Sequence, residues 1–186
     1  MTIVRSIAAA FEDPRGEAVG PFDAALRVGE QLALEAGTPR AASIAARMFA
    51  AIVKPTSGTI FVGDFDTRLQ PPQAKRCIAF VDAGGFGGDA HAFACEAAFR
   101  ADVWGIDVAR NRERARALLR RFGTDADAYA GGLALALCVP GVALAILDQP
   151  PPGTLDALRT QFPHLAVLAT CVVPAVAVPR SSAIVR

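Results

Sequence analysis

Short apolar runs, separated by polar breaks that contain glycine or proline, mark most of this chain. Runs of this kind bounded by turn residues are the pattern of buried strands, and longer stretches with apolar residues at helical spacing are the pattern of packed helices. Residues 2–10 and 24–28 predict two strands that pair around the loop EDPRGEAVGP. Residues 32–34 predict a short buried strand, residues 35–42 a loop with one glycine and one proline, and residues 43–53 an alanine-rich helix. Pro55-Thr56-Ser57-Gly58 then predicts a turn that releases residues 59–62 as the next strand.

Further on, residues 77–81 form an unbroken apolar run, as expected of a strand buried on both faces, and lead into the glycine-rich loop 82–88. Two helices are predicted at 91–103 and 109–122, the second closed by Gly123. Ala115, Leu118, Leu119 and Phe122 give that second helix a core stripe. Arg110, Arg112, Arg114, Arg116, Arg120 and Arg121 make the rest of its surface basic, a solvated face by default and a docking face for an acidic partner otherwise. After Tyr129-Ala130-Gly131-Gly132-Leu133, residues 143–147 predict a strand ending in Asp148-Gln149, then a helix at 154–162 and a buried strand at 166–170. Strands alternating with helices imply an α/β fold whose mainly parallel sheet has both faces covered, preceded by an antiparallel β part. Residues 1–186 read as one domain, with a core of 1–88 and 141–186 and a small helical subdomain of about 89–140 set to one side.

Composition narrows the function. The chain of 186 residues is 53% hydrophobic and 20% charged, enough to bury a sizeable core. A net charge of +1 and 7% aromatic content argue against nucleic acid as a partner. Cys77, Cys95, Cys138 and Cys171 show no CxxC spacing, so reduced thiols in or near the core are expected, without a zinc or redox site. The N-terminus lacks a secretory apolar segment and reads as a first strand. Residues 128–147 carry no charge, yet Gly131, Gly132, Pro140 and Gly141 interrupt them, so buried elements are expected and no membrane span.

The order of motifs carries a family resemblance over residues 2–178. Gly29-Glu30 introduces an apolar strand, and Pro55-Thr56-Ser57-Gly58 follows a helix at the spacing seen in the ATP-binding subunits of ABC transporters. The chain resembles that family, with a P-loop NTPase-like sheet flanked by helices as the implied fold. On this spacing Ala36-Gly37-Thr38-Pro39-Arg40-Ala41-Ala42-Ser43-Ile44 stands where the family has GPNGAGKST. A working loop needs glycines whose amides wrap phosphate, a lysine for the outer phosphates and a hydroxyl for magnesium. Only Ser43 fits its role; Pro39 and Ala41 stand where the family has glycine, Ala42 holds the lysine position, and Lys54 would lie at the far end of the helix.

The resemblance extends to weaker motifs. Gly84-Gly85-Phe86-Gly87-Gly88, with Phe99 and Trp104-Gly105, is similar to the GGFQG run of capsular-polysaccharide exporters, with Gly87 in place of the glutamine. Tyr129, Ala130, Gly131, Gly132 and Leu133 resemble the LSGGQ signature without its serine. Asp148 matches the magnesium-holding aspartate, Gln149 replaces the glutamate that activates water, and Cys171 stands where the switch histidine would be. His164 reads as structural or solvated.

These departures predict a catalytically inactive ABC-ATPase-like subunit with no cofactor. It would serve as a structural or regulatory partner of a membrane permease or of an active ATPase subunit, cytoplasmic and peripheral to the inner face of a bacterial plasma membrane. The permease would dock near residues 84–93. The alternative is an ATP-binding subunit with a deviant loop and weak hydrolysis. It would use Arg40, Ser43 and Asp148, stack adenine on Phe11, and hold magnesium at Ser43 and Asp148 when Mg-ATP binds. A third possibility is a binding domain unrelated to transport that shares only the fold.

Overall fold

The computed structural model of the chain describes residues 1–14, 16, 18–123 and 127–173. Two sheets organise it. The first is antiparallel, ordered β2-β1-β4-β5, and contains β1 (Thr2–Glu12), β2 (Ala18–Arg27), β4 (Ser57–Val62) and β5 (Phe65–Asp66). The second is parallel, ordered β3-β8-β7-β6, and contains β3 (Gln31–Ala36), β6 (Ile78–Val81), β7 (Leu144–Asp148) and β8 (Ala166–Val172). Helix α1 (Pro39–Phe49) and the short α2 (Pro71–Lys75) belong to the first half of the chain. Helices α3 (Ala90–Trp104), α4 (Val108–Phe122), α5 (Ala128–Leu137) and α6 (Thr154–Gln161) belong to the second.

The parallel strands are apolar on both faces because both faces are covered. Leu144, Ile146, Ala166 and Leu168 point into a core shared with α1 and the antiparallel sheet, where Met48 and Phe49 pack among Val4, Ile60 and Val62. Their sequence neighbours Ala145, Leu147, Val167 and Ala169 point the other way, into a core closed by α5 and α6 and, beyond them, by α3 and α4. Full burial of Phe49 or Met48 contributes about 1.5–3 kcal/mol each. Within the antiparallel sheet, Gly58 adopts φ +67, and a Cβ there would lie 2.1 Å from the Ala8 carbonyl oxygen. The glycine that ends the Pro-Thr-Ser-Gly turn is therefore set by the close approach of β4 to the bulge in β1.

Several elements differ from expectation. Strand β2 begins at Ala18 because Phe11 pairs with Val19 and Glu12 with Ala18, extending the hairpin through residues that read as loop. Helix α1 starts at Pro39, inside the expected loop, and ends at Phe49. The signature-like run is the first half of a helix, α5, which is buried or half-buried throughout and lies directly against the parallel sheet. The short β5 and α2 carry no clear period and were not expected. Cys138 is buried and Cys77 and Cys171 half-buried, but Cys95 is exposed on α3, 3.6 Å from His91 Nε2. Among the described residues no helix is long and apolar enough to cross a membrane.

Candidate functional site

The carboxyl ends of parallel strands are where α/β sheets place their ligand sites. Here the ends of β3, β7 and β8 converge on the start of α1. Thr38 caps that helix in an extended conformation, its Oγ1 accepting from the Ala41 N–H at 3.0 Å. Pro39 occupies the first turn, where its missing N–H costs nothing and its fixed φ suits the helix. The Ala42 N–H donates to the Thr38 carbonyl at 3.0 Å. Two amides that would face a phosphate in an open loop are thus satisfied by Thr38. Ala42, at the lysine position, is 0% exposed.

One turn into the helix, Ser43 Oγ donates to Asp148 Oδ2 at 2.6 Å. Asp148 ends β7 and is 1% exposed. Its other oxygen accepts from Thr170 Oγ1 of β8 at 3.3 Å and from Gln149 Nε2 at 3.2 Å. The Gln149 side-chain amide also donates to the Pro39 carbonyl at 3.2 Å and lies 3.3 Å from Ser43 Oγ. Gln149 has φ 48, a left-handed conformation that costs about 1–3 kcal/mol in a residue with a Cβ. Its backbone N–H is held by the Thr170 carbonyl at 3.1 Å, so the surroundings impose that conformation. Among the described residues Asp148 therefore meets only neutral donors, and the neutral amide beside it is no general base.

The other expected site residues lie apart from this cluster. Arg40 is exposed and ion-paired with Asp13, whose side chain is largely buried. Gly37 is exposed with open space around its Cα. Phe11 packs against the core of the first layer. Cys171 Sγ lies 3.7 Å from the Leu34 carbonyl, and burial, followed by the charge of Glu35, raises its pKa. Gly87 is exposed in the loop after β6, and His164 is exposed near the end of α6.

Tyr129, Ala130, Gly131, Gly132 and Leu133 pack beneath the glycine-rich loop. The Phe86 N–H donates to the Ala128 carbonyl at 2.6 Å, and a Cβ on Gly85, which has φ +60, would lie 2.3 Å from that same oxygen. A Cβ on Gly132 would meet Val81 Cγ1 at 3.0 Å, so this glycine lets α5 lie close to β6. The Asp127 carboxylate accepts from the Tyr129 and Ala130 N–H groups at 2.9 and 3.1 Å and supplies the negative charge that the helix start favours. The Tyr129 hydroxyl is buried without a hydrogen-bond partner among the described residues. Burial raises its pKa, and the charges of Asp148 and Asp82 raise it further.

The hydroxyl and carboxylate of Ser43 and Asp148 are hard oxygen donors of the kind magnesium takes. The loop before them does not fit a nucleotide's phosphates: the Ala41 and Ala42 amides are engaged, and the lysine position is a buried alanine. Sequence reasoning missed Thr38 and Thr170 as parts of this arrangement, and Asp13 as the partner of Arg40. A Thr-Pro pair before an alanine-rich run is a helix-start signal that could have revealed the first.

No family model and no curated relative matches the sequence. Solved structures do match the fold. An ATP-binding subunit of an ABC transporter aligns with a TM-score of 0.66 at 14% identity, over 92% of this chain and 80% of that one. The cbiO1 protein of Clostridium perfringens, part of the ABC transporter complex cbiONQ, aligns with a TM-score of 0.65 at 16% identity, over 91% and 78%. A putative ABC transporter ATP-binding protein from Pyrococcus furiosus aligns with a TM-score of 0.67 at 11% identity, over 94% and 93%. The chain has the fold of ABC transporter ATP-binding subunits, with the loop between β3 and α1 closed into the helix.

Proposed function

We propose that this chain is a catalytically inactive ABC-ATPase-like subunit. It acts as a structural or regulatory partner of a membrane permease or of an active ATPase subunit, at the inner face of the plasma membrane. The observation that carries this reading is the closed start of α1: Thr38 engages the loop amides, Ala42 is buried at the lysine position, and Asp148 is held by Ser43, Thr170 and Gln149. Phosphoryl transfer depends on positioning and charge stabilisation at the phosphates. The groups that would supply both are replaced or engaged elsewhere. On this reading the chain needs no cofactor, and its permease docks near residues 84–93. The likeness of Gly84–Gly88 to the exporter run makes capsular polysaccharide the proposed cargo class.

The 2.6 Å contact between Ser43 and Asp148 favours a second reading, weak Mg-ATP binding at a deviant loop. That would require Arg40 to leave Asp13. Calorimetry and a phosphate-release assay on the purified chain separate the two. The inactive reading expects no heat of Mg-ATP binding and no turnover in either the parent or Asp148→Ala. Robust hydrolysis that Asp148→Ala abolishes would overturn it, and Mg-ATP binding weakened by Arg40→Ala would establish the second reading. Affinity purification from membranes tests the partnership, with an accompanying permease or ATPase subunit as the expected result.

A further inference from the structure

Helix α4 carries six arginines and one glutamate. At ~100° per residue, Arg110, Arg114 and Arg121 fall on one flank and Arg112, Arg116 and Arg120 on the other, on either side of the buried Ala115. Two of the six are used inside the fold. Arg112 Nε donates to the Ala94 carbonyl at 3.0 Å, and the Arg121 guanidinium lies 5.6 Å from the Phe162 ring centre. Arg110, Arg114, Arg116 and Arg120 are exposed and pair with no carboxylate among the described residues. Like charges gathered on one helix repel one another, by tenths of a kcal/mol for each i,i+4 pair. A partner of opposite charge would relieve that repulsion.

Beside the first flank lies a cavity of about 310 Å³. Ile106 and Pro140 give it apolar walls, Asn111 and Cys138 are its buried polar lining, and Arg110 and Arg114 flank it one helical turn apart. Asn111 is fixed there by donation to the Ala97 carbonyl at 2.8 Å, and Cys138 by its contact with the Leu135 carbonyl at 3.1 Å. Asp107 also lines the space, but its carboxylate is engaged in capping α4 through the Arg110 N–H at 2.6 Å. The cavity has room for one leucine- or phenylalanine-sized side chain.

We infer that α4 and this cavity form a docking surface for an acidic segment of a partner protein. The segment inserts an apolar side chain between Ile106 and Pro140 and places carboxylates on Arg110 and Arg114. Guanidinium groups suit this role because their planar forks take carboxylates in bidentate fashion. Interfaces of this kind draw their affinity from a buried anchor and their specificity from the charges at its rim. An anionic membrane would also attract the arginines. It offers no side chain to fill the cavity between Ile106 and Pro140.

Fluorescence anisotropy on the full chain tests this, using a short labelled peptide with one central phenylalanine flanked by glutamates at helical spacing. Binding is expected to weaken about ten- to thirtyfold in Arg110→Glu/Arg114→Glu. It is also expected to weaken when the peptide phenylalanine becomes alanine, and to persist in Arg68→Glu, a change at an exposed position on another part of the fold. Circular dichroism of the double variant checks that it is folded, and a milder Arg110→Gln/Arg114→Gln pair should show the same trend. The inference is overturned if the peptide does not bind, if its affinity ignores either the phenylalanine or the arginines, or if phosphatidylserine vesicles bind in its place.

Discussion

Ala42→Lys places a lysine where a phosphate-binding loop would need one, at a position where this fold has no room for it. Ala42 is fully buried, three residues into a helix that begins at Pro39. A lysine held there must be neutralised or must break the packing. Neutralising it at pH 7 costs about 1.36 kcal/mol for each unit between ~10.4 and 7, or about 4–5 kcal/mol. Forcing its methylenes into a filled site adds about 1–3 kcal/mol. The total of roughly 5–8 kcal/mol is comparable to the whole stability of a typical domain, about 5–15 kcal/mol. In urea, with a slope of about 2 kcal/mol/M, the midpoint should fall by at least about 2 M, and the variant should gain no response to Mg-ATP. Arg47→Lys, on the exposed side of the same helix, should leave the midpoint unchanged. An Ala42→Lys midpoint within about 0.5 M of the parent, or one raised by Mg-ATP, would refute the reasoning, because the ammonium would then have reached solvent or a phosphate.

Tyr129→Phe should stabilise the chain by about 1 kcal/mol, since it removes a buried hydroxyl that has no partner among the described residues. The same change should flatten the alkaline limb of stability. Tyr129 is raised in the folded chain, so above about pH 10 the unfolded chain gives up a proton that the folded one keeps, and stability falls as pH rises. Cys138 and Cys171, raised from 9.0, should begin a similar fall near pH 9 that Tyr129→Phe leaves in place, as urea midpoints from pH 8 to 11 would report. Gly85→Ala should cost about 2–4 kcal/mol, from a left-handed residue and a Cβ driven at the Ala128 carbonyl. Gly87→Ala, in open space, should lie within about 0.5 kcal/mol of the parent, and equal losses in thermal melts would contradict the close approach of α5 to the loop.

How much of this was legible in the sequence depended on whether local and tertiary preferences agreed. The apolar runs 143–147 and 166–170 read as a strand and a buried strand, and β7 and β8 send alternate residues into two cores. In α4, Ala115, Leu118, Leu119 and Phe122 read as a core stripe and pack as one. The differences lie where glycine or proline reads as a break. Gly132 sits inside α5 because a side chain would meet Val81 of β6 at 3.0 Å, a tertiary reason no local pattern displays, while a Cβ on Gly131 would make ordinary contact with Phe86 at 3.5 Å. Pro39 was placed in a loop although, after Thr38, it is well suited to open a helix.

On the proposed reading, the residues at the start of α1 that differ from a phosphate-binding loop satisfy one another. Pro39 has no N–H to offer a phosphate, and its carbonyl takes the Gln149 amide. Thr38 Oγ1 accepts the Ala41 N–H, an acceptor role that phosphate oxygens play in an open loop. Alanine at position 42 lets the first turn bury itself, and Ser43 Oγ reaches Asp148 Oδ2 at 2.6 Å. Residues coupled in one network respond to substitution non-additively. A lysine at position 42 alone is therefore expected to destabilise the fold without conferring nucleotide binding, because Thr38, Pro39 and Gln149 would still hold the loop in the helix.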